Sequence, residues 1–212
     1  QVPTVTVVTS PLWWRDWVSP DLQVQSVYDG KEIAVRLTWK DASKNGLIQG
    51  MDDFEDQASL QLFEGAEEPF IGMGAHGFGV VDIWLWKASQ SVDQTASRHV
   101  LDDYPFDLPI YGDVIKRFSK SPRPVPPLNP GAAVGNQVAA TPLGNSATTL
   151  IAKGPGTTTF LPKNAQRVAA KAQHDGQGWA VVFTRPLEVP AGGGTTLAAG
   201  KKYLVAFSLW DG

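Results

Sequence analysis

Alternation of apolar and polar residues is the dominant pattern along this chain. Ile33, Val35, Leu37 and Trp39 fall on one face of an extended segment and Ala34, Arg36, Thr38 and Lys40 on the other, the period of a half-buried β-strand. Leu22, Val24 and Ser26 lead into Tyr28-Asp29-Gly30-Lys31, where Asp-Gly suits a tight hairpin turn, so residues 22–40 are predicted to form a β-hairpin. Trp179, Val181 and Phe183 alternate with Ala180, Val182 and Thr184, and Tyr203, Val205, Phe207 and Leu209 with Leu204, Ala206 and Ser208, predicting two further strands. Residues 58–63 and 80–86 add two more, and the near-continuous apolar character of the second predicts a central position. No segment keeps a helical period beyond two turns, and only Tyr111–Phe118 reads as a short helix. Between about Ser119 and Pro162 a Pro-rich run (Pro122–Pro130) gives way to Gly, Ala, Thr and Asn, which reads as a long surface excursion. The expectation is an all-β fold: one domain over residues 1–212, an antiparallel β-sandwich with an irregular Pro/Gly-rich excursion, at most short helices, and terminal strands that close it.

Composition narrows the chemistry. The 212 residues are 42% hydrophobic and 18% charged, enough for a substantial core, and include no Cys, three His, two Met, eight Trp and nine Phe. Without Cys there is no disulfide, thiolate metal site, cysteine nucleophile or covalent c-type haem attachment. A net charge of −3 gives no electrostatic reason to expect nucleic acid, and no apolar run approaches the roughly 20 residues of a membrane helix. The chain begins at Gln1 without a leader-like segment, as a processed mature chain or a trimmed one does.

Candidate constellations are few. Asp52, Asp53, Glu55 and Asp56, extended by Glu64, Glu67 and Glu68, form an acidic run that could supply a glycosidase carboxylate pair or a calcium site; its spacing is not that of an EF-hand, and a solvated loop face is the simpler reading. No G-x-S-x-G elbow occurs, and Gly72, Gly74, Gly77 and Gly79 precede a strand rather than the helix a phosphate loop needs. Lys116, Arg117, Lys120 and Arg123 make a basic patch suited to docking or to a plain solvated turn. Trp13, Trp14 and Trp17 cannot all face one side of a strand, so some either pack in a turn or are exposed for recognition. Met73, between two glycines and ahead of the Trp-rich strand, is core filler or a soft thioether ligand for haem iron.

Several stretches together resemble one family. They are Asp52–Phe63; Phe70–Gly74 followed by Asp82-Ile83-Trp84-Leu85-Trp86-Lys87-Ala88; Asp175–Leu187 with its Asp-Gly-x-Gly-Trp opening; and Val205–Gly212 closing on Trp-Asp-Gly. In this order they are similar to the haem b (gamma) subunits of periplasmic molybdenum enzymes of the dimethyl sulfoxide reductase superfamily, which serve ethylbenzene dehydrogenase, dimethyl sulfide dehydrogenase, selenate reductase and chlorate reductase. The resemblance implies a β-sandwich holding one noncovalent haem b, with Met73 as an axial ligand and Trp84, Trp86, Lys87 and Arg185 at the cofactor. The second axial ligand of such proteins is commonly a Lys expected beyond the Trp-Asp-Gly; inside this chain Lys171 or Gln173 are candidates, with His76 and His174 chemically able. A ligating Lys must be neutral, its pKa drawn well below about 10.4. The implied role is noncatalytic: an electron-transfer subunit in a periplasmic heterotrimer with a molybdenum catalytic subunit and an iron–sulfur subunit, relaying single electrons to or from a soluble c-type cytochrome, with chlorate or selenate reductase the nearest likeness. A carbohydrate-binding sandwich with Trp13, Trp14 and Trp17 as a sugar platform is the alternative from another class; a hydrolase comes third.

Overall fold

The computed structural model describes residues 2–8, 21–46, 54–65, 67, 73–91 and 146–212. These contain ten strands: β1 (Val5–Val8), β2 (Asp21–Tyr28), β3 (Glu32–Lys40), β4 (Gln57–Phe63), β5 (Val81–Lys87), β6 (Ala147–Ala152), β7 (Thr159–Phe160), β8 (Ala169–His174), β9 (Gly178–Pro186) and β10 (Leu204–Trp210). They build two antiparallel five-stranded sheets, the first ordered β1-β2-β3-β9-β8 and the second β10-β4-β5-β6-β7. Among the described residues the only helical turns are two three-residue 3-10 segments, at Ala88–Gln90 and Lys163–Ala165. The expected all-β antiparallel sandwich is therefore the fold.

The 22–40 hairpin forms as its sequence dictates. Gly30 takes a φ of +92°, and Asp29 Oδ1 accepts hydrogen bonds from the Lys31 and Glu32 amides at 2.9 and 2.8 Å. Those bonds favour the ionised carboxylate and hold the Asp29 pKa below its ordinary value. Asp175 does the same at the β8–β9 turn, accepting from the Gln177 and Gly178 amides at 2.9 and 3.0 Å.

The sheets meet across one apolar layer. Leu22, Val35, Leu37, Trp39, Val181 and Phe183 of the first sheet pack on Ala58, Leu60, Leu62, Trp84 and Trp86 of the second. Trp86 lies edge-on to both Trp39 (centroids 6.1 Å) and Trp179 (4.8 Å), the offset geometry aromatic quadrupoles favour. In β5, Asp82, Trp84 and Trp86 point into this layer while Ile83, Leu85 and Lys87 point away, and β5 is the central strand of its sheet, as its apolar run predicts.

One expectation is corrected. The excursion does not extend to Pro162, because β6 and β7 lie within it and β6 pairs along all six residues with β5. Ala147-Thr148-Thr149-Leu150-Ile151-Ala152 carries almost no polar contrast, since small Ala and Thr side chains are buried on both faces, so period two has nothing to register. Likewise Ala169–His174 (AAKAQH) gives a weak alternation, yet it pairs with β9 as an edge strand. The short helix at Tyr111–Phe118, the Pro-rich run at Pro122–Pro130 and the basic patch at Lys116, Arg117, Lys120 and Arg123 lie outside the described residues, as do Trp13, Trp14 and Trp17.

Candidate functional site

The outer face of the second sheet, turned away from the first sheet, is itself apolar. Phe63, Val81, Ile83, Leu150 and Ala152 form a separate buried cluster there, with Leu85 and Phe160 packed against it. Ser59, Gln61 and Thr148 share the face and are also buried. Residues 73–80 run over one end of it. Gly74 (φ +75°) lies so close to Val81 that a Cβ would sit 3.0 Å from Val81 Cγ1, and at Gly79 (φ +115°) a Cβ would meet the Phe63 ring at 3.5 Å. Both positions need glycine for the positive φ, and Gly74 also for the approach, since 3.5 Å at Gly79 is ordinary van der Waals contact.

Met73 sits at the rim of this face. It is the one described non-glycine residue with a positive φ, +71°, a conformation costing an L-residue of order 1 kcal/mol and upward. Three elements hold it. Its amide donates to Gln61 Oε1 of β4 at 3.1 Å, its carbonyl accepts from the Gly154 amide at 2.9 Å, and its Sδ accepts from Thr158 Oγ1 at 2.9 Å. The residue is 37% exposed, so a soft donor with a fixed backbone is presented beside a buried apolar wall, not lost in the core. Gln61, Gly154 and Thr158 were not readable as site residues: Gln61 falls within a resembling stretch but nothing in its spacing points to Met73, and Thr158 is 85 residues away.

Most of the other expected site residues lie elsewhere. Trp84 and Trp86 are fully buried in the layer between the sheets. Arg185 is in that layer too, donating to Asp82 Oδ2 at 2.7 Å and to the Thr195 carbonyl, with its guanidinium 4.9 Å above the Trp84 ring. Burial pushes the Asp82 carboxyl up, and the Arg185 charge opposes that; Arg stays protonated in proteins, so the pair is ionic. Lys87 does share the outer face, but it is six residues, about 20 Å, along β5 from Val81, and it pairs with the buried Glu55 at 3.3 Å. Lys171 and Gln173 project, exposed, from the outer face of the first sheet, since Ala170 and Ala172 of the same strand take the inner face. The whole sandwich thus separates them from Met73. Two donors to one metal must come within about 5 Å, twice an ordinary bond of ~2.3 Å, a separation that this placement does not give Met73 with Lys171 or Gln173. His174 is engaged at both ring nitrogens: Nδ1 accepts from the Gly176 amide at 3.1 Å, so Nε2 carries the proton and donates to the Asp41 carbonyl at 2.9 Å. His76 is exposed in the Met73 loop.

The acidic run is also not a solvated face throughout. Glu55 and Asp56 are buried, Glu55 accepting from the Ser89 amide at 3.0 Å and Asp56 from the Trp179 indole at 2.9 Å. Glu64 is exposed and paired with Lys201, and Asp52, Asp53 and Glu68 lie outside the described residues.

For a flat, largely apolar macrocycle around a metal, the Met73 side of the second sheet offers a matching wall and donor: a thioether, the close-approach glycine Gly74 and, among the described residues of the cluster, neutral side chains. No helix among the described residues is long and apolar enough to cross a membrane. The model of the ethylbenzene dehydrogenase family matches residues 15–212. The chain is 26% identical over 194 residues to the chlorate reductase subunit gamma of Ideonella dechloratans, covering 90% of this chain and 56% of that one. It is 25% identical over 192 residues to a Haloferax mediterranei protein named as a respiratory nitrate reductase heme subunit, covering 90% of this chain and 49% of the relative. It therefore spans about half the length of the curated relatives it matches. On the extent of the family match, this chain belongs to the ethylbenzene dehydrogenase family.

Proposed function

We propose that this chain is the haem-carrying gamma subunit of a molybdoenzyme complex, with Met73 giving one axial ligand to a single noncovalent b-type haem on the outer face of the second sheet. The observation that carries the reading is the presentation of the Met73 thioether at the edge of a buried apolar face by Gln61, Gly154 and Thr158. Haem, when bound, supplies a one-electron couple, and thioether ligation raises its potential by favouring the ferrous state. Phe63, Ile83, Leu85 and Phe160 exclude water from that face. Thr158, through its hydrogen bond to Sδ, orients the thioether.

The chain would relay single electrons between a soluble c-type cytochrome and the iron–sulfur subunit of a periplasmic heterotrimer whose molybdenum subunit binds the substrate. The gamma-subunit name of the Ideonella relative supports that assembly, and its substrate supports chlorate over selenate. The test is the absorption spectrum of the purified, dithionite-reduced chain: a b-type spectrum is expected, with Met73→Ala losing the haem or lowering its potential. A chain that takes up no haem, or whose spectrum and potential ignore Met73, overturns the reading.

A further inference from the structure

Three carboxylates from distant parts of the sequence meet at the end of the sandwich opposite the Asp29 turn. Asp41 follows β3 of the first sheet, Asp56 precedes β4 and Asp211 follows β10 of the second. One carboxylate oxygen from each lies within 4.8 Å of the other two. Asp41 is 3% exposed and Asp56 fully buried, and no ion pair among the described residues reaches either.

Asp56 is well served: Oδ2 accepts from the Asn45 amide at 2.7 Å and the Trp179 indole at 2.9 Å, and Oδ1 from the Gly212 amide at 3.1 Å. Asp41 is not. Its Oδ1 accepts from the Ser43 amide and hydroxyl at 3.0 and 2.9 Å, but its buried Oδ2 has no partner, and neither does the buried side-chain oxygen of Asn45. An ionised oxygen buried without a donor is costly, and native structures rarely leave one so. A bound cation would supply that missing partner, and among the described residues no His or Cys ligand atom joins the three acids. Separations of up to 4.8 Å are about twice a Ca–O bond of about 2.4 Å, and carboxylates on loop segments are the flexible oxygen donors that calcium takes and octahedral magnesium fits poorly.

We propose that Asp41, Asp56 and Asp211, with the Asn45 side-chain oxygen, form a structural calcium site that ties the end of the first sheet to β4 and β10 of the second. The site stands independently of the haem reading.

The test is thermal unfolding and calorimetric titration of the full chain after chelator treatment, with calcium chloride or magnesium chloride added and haem content followed by absorbance. One calcium per chain is expected, with a midpoint at 1 mM calcium about 4 °C or more above that in chelator, no change in haem content, and a smaller rise with magnesium. Asp41→Asn should weaken calcium binding tenfold or more and abolish the rise while leaving the calcium-free midpoint equal or higher, because it removes an unpaired buried charge. Should that variant not fold, half-buried Asp211→Asn carries the same comparison; Glu64→Gln, at an exposed pair, keeps the full rise. Equal midpoints in chelator and calcium with no binding heat, or an undiminished rise in Asp41→Asn and Asp211→Asn, overturns the site.

Discussion

The two faces of β5 are built from alternate residues of one heptapeptide and yet do different work. Asp82, Trp84 and Trp86 face the first sheet, where large rings interlock and the single charge is matched by Arg185. Ile83 and Leu85 face outward into a cluster of equal apolarity, beside neutral polar groups and the Met73 thioether, with residues 73–80 crossing one end. Burial alone does not separate a structural core from a candidate cofactor wall. What separates them is the matched charge on one side and, on the other, a soft donor held in a backbone conformation that costs energy.

Substitutions on the inner face should produce the largest stability losses and no specific spectral effect. Trp86→Ala is expected to cost about 3–5 kcal/mol, and Arg185→Leu a similar ~3–5 kcal/mol because it strands the Asp82 charge, both read from urea midpoints. If either changed the haem spectrum of the folded protein while leaving stability intact, the division between the faces would fail. At the rim the balance reverses. Met73→Gly, which removes the positive-φ strain, should stabilise the haem-free chain by about 1 kcal/mol while losing the haem signal. Thr158→Val should cost under ~1 kcal/mol and shift the potential without releasing the cofactor; an unchanged potential would remove Thr158 from the site.

The smallest effect lies in the hairpin turns of the first sheet. Asp29 and Asp175 have pKa values held below the ordinary carboxylate value of 3.8 by backbone amides. A depressed folded pKa contributes stability that is present above 3.8 and lost as pH falls through the lower value. Asp29→Asn and Asp175→Asn should therefore flatten the acid limb of stability against pH, whereas Met73→Gly and Thr158→Val should leave that limb unchanged, since no titrating group joins them.

Legibility followed polar contrast. The β2–β3 hairpin, β9 and β10 alternate visibly, and β5 announced a two-sided burial by its near-continuous apolar run. β6 and β8, built of Ala, Thr and short polar residues, gave no such signal. Met73 stands out as a candidate because a Met among glycines is chemically conspicuous, but the groups that hold it, Gln61, Gly154 and Thr158, are ordinary residues made specific only by position. Trp84, Trp86 and Arg185, prominent in the motifs, lie buried between the sheets.

The sequence by itself determined which residues of each strand share a face, where the Asp-Gly turns fall, and, through its ordered motifs, the family. Those properties are local, because a period of two and a turn's positive φ are set within a few residues. Only the tertiary structure decided that β5 turns its Trp residues toward the first sheet, that Lys171 and Gln173 are a sandwich away from Met73, and that Asp41, Asp56 and Asp211 converge. Which sheet closes a given face, and which remote loops meet at its end, depends on pairings between strands more than a hundred residues apart, and no local pattern encodes them.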